Sequence, residues 1–352
     1  MAPIVRLSSS AQLKLQSGGV FVPSPLALDE RKQVLEQYQR LLTLYYIKSG
    51  AKAVIPGAHT GEFALNDLQV FTNWLKLVKE MSQSYGENIL LMAAIGGKDV
   101  LKQAELAAKF AYDIVMVAPT AFTGRNDRGV IALLSEIASI IPTFGFELQR
   151  AIPGSYNFTT ELWSKIFEIT YGAKGASFDT YRSISMLEAA ALSPRNEELA
   201  LYTGNDDRIV NDLSGEFAFG VQGEKRIRYQ GGLLGHFATD THATVRWVAE
   251  LLDSRKSGTW NFPLSREGLS HAVNRCNMAL FDALGNFENS VWGVKYRLTA
   301  LGLLPGPYCQ NETGRPGQAA EIDTIYGSYP VLTDEIFVSE HLEWMKKEVG
   351  IK

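Results

Sequence analysis

The chain has 352 residues, 46% of them hydrophobic and 20% charged, a composition able to bury a large core in one large domain or two. Its 34 basic and 38 acidic residues leave a formal net charge of −4, and neither sign forms a block, so no basic face for nucleic acid or anionic lipid is announced. Two cysteines, Cys276 and Cys309, without a CxxC or a nearby histidine partner, read as free thiols of a reducing compartment. No apolar run approaches the roughly 20 residues needed to cross a bilayer, and "MAPIVRLSSSAQLKLQ" lacks the continuous apolar segment of a secretory signal, so the expected location is the cytoplasm.

In chain order, an N-terminal extension over 1–17 precedes short apolar runs at "GVFV" (19–22), "KAVIP" (52–56), "NILLMAA" (88–94), "DIVMVA" (113–118), "IIPTFGF" (140–146), "GAKGAS" (172–177), "LALYTG" (199–204) and "GGLLGHFA" (231–238). Helical periodicity lies between them. In "LDERKQVLEQYQRLLTLYYIKSG" (28–50), Val34, Leu35, Tyr38, Leu41, Leu42 and Tyr45 follow the i, i+3, i+4 rule and Gly50 can end the helix; 65–81 and 99–112 read the same way. Runs that are apolar on both faces and alternate with helices are what a parallel sheet covered by helices requires. Eight such units predict an α/β fold, a (β/α)8 TIM barrel over 18–256, close to the length of about 250 residues typical of that fold. A doubly wound open sheet is the alternative, but no GxGxxG follows the first strand and no GxxxxGK[ST] occurs. From 257 to 352 the pattern is helical only, with segments at 265–285, 288–304 and 333–348 around the stretch "PGPYCQNETGRPGQ". This C-terminal helical region is expected to pack on the barrel or on a neighbouring subunit.

In such a barrel the active site lies at the carboxyl ends of the strands. The second run closes with "PGAHTGEF" (56–63), the fifth with "FGFELQR" (144–150), the sixth contains Lys174 and the eighth carries His236. Lys174 is the only charge in "GAKGAS". An ammonium on an inward strand loses hydration on folding, which lowers its pKa and yields a free amine, a nucleophile for a carbonyl carbon. The plain alternative is an edge lysine, or one paired with a carboxylate.

The segments "GAHTGEF" and "GAKGASFDTYR" resemble the two signatures of the dihydrodipicolinate synthase/N-acetylneuraminate lyase family, class I pyruvate-dependent lyases on a (β/α)8 barrel. "GVFVPSPLALD" (19–29) is similar to the family's opening strand, "TGNDDRIV" (203–210) to its seventh-strand turn and "VKYRLTALGLLPG" (294–306) to its carboxyl-terminal helix, so the likeness runs in order over roughly 18–306. The resemblance implies that Lys174 is the Schiff-base lysine and that Thr60 and Gly61 belong to a turn holding the carboxylate of a 2-keto acid such as pyruvate. It implies no cofactor and no metal, and a homo-oligomer, since family members assemble as dimers or tetramers of barrels. Taken alone, Thr60 reads as an ordinary helix cap.

The sequence also departs from the family. His59 stands where the family has a proton-relaying threonine, and Phe146 falls on its fifth-strand tyrosine, the usual proton shuttle. "PTAFTG" (119–124) replaces Pro-Tyr-Tyr and leaves only the apolar Phe122 nearby. Phenylalanine carries no proton, so either catalysis is lost or other groups have taken over. His59 is one candidate, since an unperturbed imidazole titrates near pH 6.5; its alternative role is to cap the turn. Glu147 is the other, although strand alternation turns it to the face opposite Phe146. Glu62 is expected in the first turn of a helix, where acids are favoured. Arg150 follows the fifth strand near the family's arginine for a second substrate carboxylate, and His236 is expected either in the substrate pocket or packed into the helix layer. His236, Asp240 and His242 are close in sequence, but their spacing fits neither HxH nor HxxxH well, so no metal site is expected, a metal-dependent aldolase being the alternative. "IGGKD" (95–99) reads as a phosphate cradle or as a packing turn. The expected function is a Schiff-base lyase or aldolase acting on a 2-keto acid; the alternative is a catalytically degenerate barrel that binds a keto or sugar acid without turnover.

Overall fold

The computed structural model describes residues 3–62, 67–86, 88–150 and 152–351. Each apolar run contains a strand: β1 (Gly19–Pro23), β2 (Ala53–Ile55), β3 (Met92–Ile95), β4 (Ile114–Val117), β5 (Thr143–Leu148), β6 (Gly172–Ala176) and β7 (Ala200–Thr203), then, after an antiparallel hairpin of β8 (Phe217–Phe219) and β9 (Lys225–Ile227), β10 (Gly231–Leu233). The barrel strands are parallel in the order β2-β1-β10-β7-β6-β5-β4-β3. Two backbone bonds, Leu90 N–H to Lys52 O and Ala94 N–H to Pro56 O, each 2.9 Å, draw β2 and β3 together to close the ring. The reason for runs apolar on both faces is visible in β1 and β4. Phe21, Ile114 and Met116 pack inside the barrel, whereas Val20, Val22, Val115 and Val117 pack outward under the helices. The hairpin escaped the sequence pattern because its second strand, "KRI", is mostly polar and exposed. Of the second helical segment, Leu65 and Asn66 lie outside the described residues, as does Phe63; the helix runs Leu68–Tyr85.

Both ends of the barrel are covered by the chain itself. The helix Ser9–Ser17 seals the end where the strands begin. Leu15 is fully buried among the inward residues, Tyr202 donates its hydroxyl to Leu15 O at 2.8 Å, and Gln12 and Gln16 bind the carbonyls of Glu198 and Glu197 just before β7. The opposite end receives the helices Arg266–Leu280 and Ser290–Ala300, on which Gln318–Gly327 packs, whereas Glu335–Glu348 lies along the side of the barrel against the helix Glu36–Ser49. Two buried ion pairs lock the second of these to the loops after the strands. Lys295 Nζ lies 2.6 Å from Glu62 Oε2 and also donates to Tyr308 O, while the Arg297 guanidinium meets Asp240 bidentately at 2.8 and 2.6 Å. Glu62 is therefore a tie to the C-terminal helices instead of a helix-start acid; its other oxygen accepts from Gln310 N–H at 2.6 Å.

A buried charge left without its partner is strongly destabilising, whereas removing both partners is far milder. Lys295→Met is expected to lower unfolding stability by about 3–5 kcal/mol, and the double variant Glu62→Gln/Lys295→Met to recover most of it, as measured by chemical denaturation.

Candidate functional site

The carboxyl ends of the strands open into a cavity with about 640 Å³ of empty space, counting its mouth. Lys174 enters its floor from β6, in register with Phe146 on β5 and Tyr202 on β7. The side chain is 8% exposed, and its Nζ stands 4.4 Å from the centroid of the Phe146 ring. The lysine stem passes over β7 only because residue 204 is glycine: a Cβ there would lie 2.4 Å from Lys174 Cε. Burial pushes the Lys174 amine well below the ordinary ammonium range, and the carboxylate of Asp206, in the same cavity, pulls the other way. Asp206 is itself pushed up by burial, against the opposing charge of Lys174 and a backbone hydrogen bond from His236. Its Oδ1 has no hydrogen-bond partner.

The turn after β2, a single helical turn over His59–Gly61, forms one wall. Thr60 is buried and donates its hydroxyl to Pro23 O at 2.6 Å, tying the turn to the end of β1. His59 lines the cavity beside Lys174; burial and the lysine's charge lower its pKa to about 4, so the imidazole is neutral at physiological pH. Gly61 is buried behind the turn against the Trp74 ring. The structure thus brings Lys174, His59 and Thr60 into one cavity, with Phe146 beneath the amine.

Other sequence candidates stand elsewhere. Arg150 is exposed and hydrogen-bonds Asn157, because the chain turns outward after β5. His236 points into the helix layer, since β10 has already ended at Leu233; its Nδ1 is 2.7 Å from Asn277 Oδ1 and its ring lies against Trp247. Asn277 in turn donates to Asp206 O at 2.6 Å, so His236 braces the loop carrying Asp206. Burial lowers the His236 pKa to about 4. Glu147 faces outward as strand alternation requires, 3.6 Å from Arg182, and burial raises its pKa to about 7. Phe122 packs on Tyr156 and Phe158. The N–H groups of Gly96 and Gly97 are taken by Gln103 and Thr120, which leaves "IGGKD" a packing turn. Asp240 is bound to Arg297 and His242 stacks on Phe337. Asp206, Ser290 and the aromatic wall of Phe178, Phe281 and Phe287 were not singled out from the sequence.

The His59 shift fixes a pH response. Between pH 6.5 and 4 the unfolded chain takes up a proton at this residue that the folded chain refuses, so stability falls on acidification through that window. Between pH 7 and 4.5 the protein is expected to lose about 2 kcal/mol more stability than His59→Gln. Denaturation curves of the two proteins at both pH values measure this; parallel losses would contradict it.

No family model matches the sequence, and no curated protein matches it either. Solved structures do match its fold. The chloride-inhibited dihydrodipicolinate synthase of Acinetobacter baumannii, complexed with pyruvate, superposes with a TM-score of 0.70 at 16% identity, covering 90% of this chain and 98% of that one. The lysine-bound enzyme of Cyanidioschyzon merolae gives 0.69 at 18% identity over 90% and 99%. CdNal of Clostridium difficile, in complex with mannosamine, gives 0.67 at 16% over 89% and 99%. The chain is a (β/α)8 barrel with the fold of the dihydrodipicolinate synthase and N-acetylneuraminate lyase structures.

Proposed function

We propose that the protein is a class I lyase or aldolase whose Lys174 condenses with the carbonyl of pyruvate or a related 2-keto acid. The observation that carries this reading is the Lys174 amine itself, buried over a phenyl ring on the floor of a cavity at the strand ends and shifted toward its neutral form. A neutral amine adds to C2 to give a carbinolamine. Asp206, poised by burial to hold a proton, delivers it to the carbinolamine oxygen, water leaves, and the protonated imine is left facing the Asp206 carboxylate. The imine then draws electrons from C3, so that a C3 proton or the C3–C4 bond can depart. The His59–Gly61 turn is the wall for the keto acid carboxylate, and rotation of the Thr60 hydroxyl away from Pro23 O supplies a donor. His59, neutral here, orients and exchanges hydrogen bonds without storing a proton.

One observation favours a second reading, a barrel that binds a keto acid without turnover: Phe146 occupies the position that the resemblance assigns to a proton shuttle. Incubation with pyruvate and other 2-keto acids, reduction with borohydride and peptide mass mapping separates the two. A reduced adduct on Lys174, absent from Lys174→Arg, is expected; no adduct with any keto acid would leave only the second reading.

A further inference from the structure

The cavity above Lys174 is not built by the barrel alone. Phe281, Phe287, Ser290 and Val291 close it, and all four come from the C-terminal helical region. Phe281 fits into space left by Gly235, where a Cβ would lie 2.9 Å from its ring, and Phe287 meets Phe178 edge-on at 5.7 Å between centroids. The backbone bringing Phe287 in is left-handed at Asp282, Asn286 and Phe287 itself (φ 50°, 56° and 64°), a run of conformations that only surrounding contacts can hold.

Among the described residues, Gln149, Asp206 and Ser290 are polar groups of the cavity beside this apolar wall, and of the three Ser290 is the one that the C-terminal helical region supplies. Ser290 is 8% exposed, lines the cavity, and its Oγ has no hydrogen-bond partner. The helix bearing it is fixed by Lys295 and Arg297, so rotation about the Cα–Cβ bond is the movement by which this shielded hydroxyl reaches a partner in the cavity. A buried hydroxyl without a partner is unfavourable by itself. Among the described residues lining the cavity Lys174 is the only Lys or Arg, and Arg150 lies outside it. A phosphate or a second carboxylate at the far end of a substrate would therefore meet aromatic rings and no cation.

The geometry points to Ser290, with Phe281 and Phe287, as the determinant of the substrate's second half: a 2-keto acid whose far end is uncharged and largely apolar, and carries one hydrogen-bonding atom for Ser290 Oγ. This rests on the lyase reading above and names its substrate class.

Borohydride trapping on the intact protein tests it with three probes: pyruvate, 2-oxoglutarate, and the 5-methyl ester of 2-oxoglutarate, which keeps the size and a carbonyl acceptor but loses the charge. The ester is expected to be trapped at concentrations at least about tenfold lower than 2-oxoglutarate. Ser290→Ala should weaken trapping of the ester about tenfold while leaving pyruvate unchanged, and should not lower the thermal midpoint of the free protein, because it removes an unsatisfied hydroxyl. Phe287→Arg should shift preference toward 2-oxoglutarate. Trapping of pyruvate together with preference for 2-oxoglutarate, or equal loss of pyruvate and ester in Ser290→Ala, overturns this inference alone. Failure of all three probes overturns the lyase reading beneath it.

Discussion

The structure turns on the desolvation of one amine. An ammonium ion is strongly hydrated, and moving it into a barrel mouth lined by Ala176, Gly204 and the Phe146 ring favours the neutral form. The surroundings keep that environment in place. The helix Ser9–Ser17 seals the far end of the barrel, and the C-terminal helices roof the near end, held by the buried pairs Lys295–Glu62 and Arg297–Asp240. The phenyl face and Asp206 act in the opposite direction by favouring the charged amine. The lysine is thereby held between its two forms, as the proposed reaction, in which it attacks as an amine and persists as a cationic imine, requires.

The same opposition governs proton handling. The resemblance places a tyrosine hydroxyl at the fifth strand, and this chain has a phenyl ring there. Among the described residues lining the cavity, two titratable side chains accompany the lysine, and they are displaced in opposite directions: His59 toward the neutral base and Asp206 toward the neutral acid. Environments that separate two groups in this way assign their tasks. In the proposed reaction Asp206 is the acid, and its buried Oδ1 has no hydrogen-bond partner in the ligand-free site.

Much of the architecture was legible in the sequence because barrel strands are buried on both faces, so each of the eight runs announces itself without alternation. Lys174 was legible for the same reason, as a lone charge where no charge belongs. The loops were less readable. Periodicity stops where a strand stops, and β10 ends at Leu233, so nothing in "GGLLGHFA" fixed the direction of His236. Arg150 follows a strand that ends at Leu148, and the chain has turned away by then. Asp206 is one of two adjacent aspartates in "TGNDDRIV", where nothing local separates it from Asp207, and only its place after β7 hints at the cavity. Ser290 and Phe287 come from more than 100 residues beyond Lys174 in sequence, and it is the tertiary lock through Lys295 and Arg297, invisible to local pattern, that brings them over it. Glu62 shows the same limit: its first-turn position suggested the helix dipole, and its partner proved to be a lysine 233 residues away.

The most direct measurement is the titration of Lys174 in the ligand-free protein, read as the rate of trace acylation of its peptide against pH and compared with a solvent-exposed model amine. The account predicts half-maximal reactivity well below the ordinary lysine value of about 10.4. A Lys174 that titrates together with the model amine would contradict it.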